Sequence, residues 1–153
     1  MRFIDIKNML YENRKQLLIT VAKIDDYIFY LKQSAENWSL AEILHHIFLS
    51  EKLINKLLKN LRKKSNLKLF NKHESSEIIP IKQEIKELNL DNTITYAPFP
   101  GTEPESNINR DKLFALLKTW YIETEKNLKK ADEYDFRSLK YKHPIFGMIN
   151  YYE

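Results

Sequence analysis

The sequence has no cysteine, only two glycines, and no apolar run near the roughly 18 to 20 residues needed to cross a bilayer. Without cysteine there is no disulfide framework, no thiolate ligand and no cysteine nucleophile, so any metal must be held by His, Asp or Glu. The scarcity of glycine argues against an all-β fold rich in tight turns. The N-terminus, MRFIDIKNML, carries Asp5 where a secretory signal would have a continuous apolar core, so a cytoplasmic location with no membrane partner is expected. Gly-rich phosphate loops, a nucleophile elbow and a recognisable Ser/His/Asp arrangement are also missing.

What is present describes a chain that folds. Its 153 residues suit one domain, and 43% hydrophobic with 30% charged residues is too apolar for a disordered chain. The net charge of +4 comes from basic residues interspersed with acids. KNLRKKSNLK, residues 59–68, is the one basic cluster, and it lacks the interleaved aromatics of a phosphate-tracking surface. It reads as a solvated helix terminus, where cations are favoured by the helix dipole, and no nucleic-acid partner is expected.

Apolar residues recur at helical spacing from about Met9 to Leu31, including Leu10, Leu17, Leu18, Val21, Ile24 and Ile28, and predict one long amphipathic helix. After the link SAEN and Trp38, the stretch SLAE supplies a capping box in Ser39 and Glu42, so a second helix runs from Ser39 to about Lys64. Residues 65–108 hold four of the five prolines, the turn pair Pro100-Gly101 and a short helical candidate, IKQEIKEL. A connection of that length is a crossover with structure of its own. A third helix begins near Asn109, with Asp111 in its first turn and Leu113, Leu117, Trp120, Tyr121 and Leu128 on one side. At the C-terminus, Asn150 is a good N-cap with Glu153 three positions on, the start signal of a fourth helix. The fold expected is all-α: an up-down four-helix bundle in one domain, 1–153, reduced to the first turn of its fourth helix.

The candidate site residues come from the second helix. At about 100° per residue, a stripe of Leu40, Ile43, Ile47, Ile54 and Leu58 places His46 about 90° to its side and His45 nearly opposite, facing solvent. His46 at the core edge is either a boundary histidine bonded locally or a ligand aimed into a cleft between helices. Glu51, about 50° from the stripe centre, needs a partner: either a Trp or Tyr hydrogen bond on another helix, or a role as acid or base. His143 precedes Pro144 and is biased to extended backbone in a loop. His73, in the polar crossover, is read as solvent-facing.

Three segments together resemble the DinB-like family, which includes YfiT-type metal-dependent hydrolases and bacillithiol- or mycothiol-dependent S-transferases. ENWSLAEILHHIFLSE (36–51) resembles its signature, with a histidine eight residues after the tryptophan and an acid five further on. TYAPFPGTEPES (95–106) is similar to the Pro-rich crossover, and KHPIFGMINYYE (142–153) looks like the loop into the fourth helix. The resemblance implies a divalent metal, zinc or nickel, held by one histidine of the second helix and an H-x-x-x-H pair of the fourth. His46 matches the first ligand and Glu51 the acid; the other two ligands have no counterpart before Glu153. It further implies a hydrolase or thiol S-transferase acting on a small-molecule substrate, with a low-molecular-weight thiol as a possible partner and this 153-residue chain inactive. The alternative is a non-catalytic bundle that binds no metal and self-associates as a homodimer or larger species, through a groove lined by Ile43, Ile47, Leu117 and Trp120.

Overall fold

A computed structural model describes residues 3–64, 98–131, 140–143 and 147–150. These form four helices, α1 (Phe3–Ala22), α2 (Asp26–Tyr30), α3 (Leu40–Lys64) and α4 (Arg110–Ala131), and an antiparallel hairpin of β1 (Lys140–His143) and β2 (Gly147–Asn150). The described residues are therefore predominantly helical. The hairpin is an addition to the all-α expectation, with Tyr141 opposite Ile149 and His143 opposite Gly147. Asn150 ends β2, paired with Lys140, and the expected first helical turn after it lies outside the described residues, as do IKQEIKEL and His73.

The first expected helix is divided in two. Its chain turns at Lys23 and Ile24, whose amides reach back to the Thr20 and Val21 carbonyls, and restarts at Asp25. The Asp25 carboxylate accepts the Tyr27 N–H at 2.8 Å from an extended backbone, the geometry of an N-cap. Asp26 adds negative charge in the first turn of α2. The new axis carries Phe29 inward to 0% exposure, its ring 6.4 Å from that of Phe114. Arg110 closes the end of α1 by donating to the Val21 and Ala22 carbonyls while its guanidinium lies over the rings of Phe29 and Phe114. Carbonyls orphaned at a helix end thereby gain a cationic partner.

Helix α3 starts as its capping box predicts. The Ser39 amide donates to Glu42 Oε2 at 2.8 Å, and the Glu42 amide reaches back to Ser39 Oγ at 3.3 Å. Asn109 caps α4 through its side-chain oxygen, which accepts the Lys112 N–H at 2.9 Å.

Side-chain pairs fix the direction of each long helix. Phe48 meets Trp120, and further along both chains Asn55 meets Thr124 and Asn127, so α3 and α4 run parallel. Arg14 meets Glu51 and Tyr121 while Val21 meets Arg110, so α1 is antiparallel to both. Strict up-down alternation is thus not what the three long helices show. The connection between α3 and α4 is long enough to return the chain to the end where α3 began.

The apolar core gathers at that end: Val21, Phe29, Ala41, Leu44, Phe48, Ile108, Leu113 and Leu117. On α3 the inward positions are Ala41, Leu44, Phe48, Glu51 and Asn55, a face rotated from the Leu40/Ile43/Ile47/Ile54/Leu58 stripe. Leu117, expected in an exposed groove, is 1% exposed, whereas Ile43 and Ile54 are 42% and 50% exposed.

Candidate functional site

The site residues come from the first half of α3 and from the segment 98–108 that lies against it. Phe99-Pro100-Gly101-Thr102 is a β-turn closed by the Thr102 N–H donating to the Phe99 carbonyl at 2.9 Å. Pro100 supplies the fixed φ of the second position and Gly101 the left-handed third, with φ of 86°, the requirements of a type II turn. Thr102 is 1% exposed, and its hydroxyl also donates to the Phe99 carbonyl at 2.7 Å. The turn thereby presents the Thr102 carbonyl to α3.

That carbonyl lies 2.8 Å from His46 Nδ1. A carbonyl oxygen only accepts, so Nδ1 carries a proton, and in the neutral imidazole Nε2 then carries the lone pair. Ser50 Oγ stands 3.4 Å from Nε2, one helical turn on, and the Trp38 ring packs against the imidazole with centroids 4.9 Å apart. His46 is half-buried, held on one edge by a backbone acceptor and on one face by an indole.

His45, expected in solvent, is 4% exposed. Its Nδ1 accepts the Glu105 N–H at 2.9 Å, and its ring stacks near that of Phe48. An acceptor Nδ1 requires the neutral imidazole with its proton on Nε2. Burial pushes its pKa down; nearby Lys112 and Lys52 act in the same direction and Glu105 opposes them. The rotated core face explains the correction, because His45 then falls on the flank covered by residues 102–105. Adjacent histidines thus clamp one loop with opposite tautomers, His45 by accepting and His46 by donating.

Glu51 points inward and finds its partner on α1. Arg14 forms an ion pair with Oε1, and Thr124 Oγ1 stands 3.5 Å from Oε2. Neither partner is the Trp or Tyr hydrogen bond expected, although Tyr121 is close: its ring lies 4.5 Å under the Arg14 guanidinium. Burial, then the Glu51 charge, push the Tyr121 phenol pKa up, with Arg14 opposing. The polar column continues through Asn55, which donates to Thr124 Oγ1 at 2.8 Å and accepts from Asn127 at 2.6 Å. Asn55 and Asn127 are not among the residues that the sequence pattern singles out, though Asn55 is 2% exposed. An Asn one turn after Glu51 was the available signal.

The geometry supplies one oriented imidazole nitrogen, not a cluster. Among the described residues no group of three His, Cys, Asp or Glu side chains converges on a point where a metal ion could sit. Backbone pairing places His143 opposite Gly147 in the hairpin. No described helix is long and apolar enough to cross a membrane. The chain matches no known protein family, no curated protein and no solved structure.

Proposed function

We propose that the chain is a DinB-like helical domain of the metal-dependent hydrolase or thiol S-transferase type, in which His46 is one nitrogen donor toward a divalent cation such as Zn²⁺ or Ni²⁺. The observation that carries this reading is the Nδ1–H bond to the Thr102 carbonyl. A ligating histidine commonly donates its second ring N–H to a backbone carbonyl, which fixes the tautomer and raises the basicity of the free nitrogen. Trp38 and Thr102 hold that nitrogen in place before any ligand arrives. His46 by itself does not hold a metal, and the described residues do not provide the rest of a ligand set.

The test is a titration with Zn²⁺ or Ni²⁺ followed by ¹⁵N NMR of the histidine rings. His46 Nε2 is expected to respond first among the four histidines. Binding is expected to be weak and little changed in overall affinity by His46→Ala, since one imidazole gives no chelate. Tight stoichiometric binding lost on that substitution would bring further donors into the site. An Nε2 signal indifferent to the metal would refute the reading.

A second reading is a non-catalytic bundle that self-associates. Ile43 and Ile54, both exposed on one side of α3, favour it. Sedimentation that detects only monomer would remove it.

A further inference from the structure

Helices α1 and α4 line a groove of about 310 Å³ that includes neither histidine of α3. Leu10, Leu18, Ile122 and Leu128 form its walls, together with the rings of Tyr11 and Tyr121. Its rim carries Lys15 and Lys129 against one acid, Glu125, while the charge of Arg14 is already matched by Glu51. Lys15 and Lys129 both stand exposed. Two buried polar atoms, Arg14 Nε and Tyr121 Oη, have no partner, but they are sealed from solvent and offer an incoming molecule no anchor. The anchor is the basic rim.

We propose that this groove binds a small amphipathic carboxylate, its apolar body between α1 and α4 and its carboxylate among the rim lysines. Two features decide the class. The volume is about twice that of an apolar cavity known to hold benzene, which sets a body of roughly eight to twelve carbon atoms at most. The volume is also at the lower edge of the range for small-molecule sites, roughly 300 to 1,000 Å³. The excess of lysines selects a negative head over a positive one, because a like charge at the rim is repelled and an opposite one attracted. The site uses neither His46 nor the loop that holds it, so it stands or falls apart from the metal reading.

Calorimetry with sodium octanoate, 1-octanol and octylamine, on the full chain, tests the proposal. Octanoate is expected to bind saturably at one molecule per chain and at least ten-fold more tightly than octylamine. The double variant Lys15→Glu/Lys129→Glu, both positions exposed, should lose at least ten-fold in octanoate affinity and reverse the preference toward octylamine. Nuclear Overhauser contacts from octanoate methylenes to the Tyr11 and Tyr121 rings place the ligand. Circular dichroism of the variant checks that its helices persist; if they do not, Ile122→Glu, which puts a carboxylate at an exposed position of the wall, should weaken octanoate in its place. Equal affinity for octanoate and octylamine, or no saturable octanoate binding, would overturn the proposal. So would a dimer that Ile122→Glu dissociates without any effect of octanoate, which would make the groove a contact between two copies.

Discussion

Replacing Gly101 with alanine isolates the backbone of the turn that holds His46. The position has φ of 86°, and a Cβ built there meets nothing within 4 Å, so the substitution creates no clash and its effect is conformational alone. An L-residue in the left-handed region costs roughly 1–2 kcal/mol, whereas Asn enters it more readily. For a domain of this size 1 kcal/mol lowers the melting temperature by roughly 2–4 °C, so Gly101→Ala should melt about 2–8 °C below the parent. Gly101→Asn should recover a good part of that loss. The assay is thermal unfolding by circular dichroism at neutral pH, paired with the His46 Nδ1–H resonance, which should weaken or broaden in the alanine variant as the Thr102 carbonyl shifts. A melting temperature for Gly101→Ala equal to the parent's, or an Asn variant as damaged as the Ala one, would refute the assignment of a type II turn to this segment.

Three further outcomes follow from the packing. Burial acts to raise the Glu42 pKa, but Lys32 and the Ser39 amide and hydroxyl outweigh it and hold the carboxyl below its usual value. The unfolded chain therefore binds the proton first on acidification, so this stabilisation is complete above about pH 4.5 and disappears as pH falls through the lower folded pKa. Ser39→Ala should cost about 1 kcal/mol near neutrality and flatten that acid limb of a stability–pH curve measured by urea unfolding. Asn55→Leu should destabilise by about 1–3 kcal/mol by stranding the buried Asn127 amide. The double change Asn55→Leu/Asn127→Leu, which leaves Thr124 bonded to Glu51, should regain most of the loss in the same urea assay. If the chain self-associates through α3, Ile43→Asp/Ile54→Lys at two exposed positions should yield monomer in sedimentation velocity without lowering the melting temperature.

The helix starts at Ser39 and Asn109 were readable because caps are local: a side chain and an amide two or three residues away decide them. The break after Ala22 was equally local, and the pair Asp25-Asp26 was its signal, but the apolar period runs through it and masks the restart. His45 was misplaced for a different reason. The inward face of α3 contains Ala41, Glu51 and Asn55, which carry little apolar weight, while the exposed Ile43 and Ile54 carry much, so a wheel centred on hydrophobicity turns away from the core. Burial of Glu51 and Asn55 depends on Arg14 and Thr124, partners on other helices that no single-helix pattern reveals. The parallel run of α3 and α4 is likewise set by tertiary pairing across the crossover. The strands at 140–143 and 147–150 fit the extended bias expected of His143 before Pro144.

Two neighbouring histidines are held by one loop in opposite senses, His45 accepting through Nδ1 and His46 donating through Nδ1, which orients the His46 ring. Long-range ¹H–¹⁵N correlation spectra of the imidazole rings at pH 7.5 measure this directly. The expected result is a proton on Nδ1 of His46 and on Nε2 of His45, with the His46 pattern lost when Gly101→Ala displaces the Thr102 carbonyl. A proton on Nε2 of His46, or rapid exchange between tautomers at both rings, would contradict it.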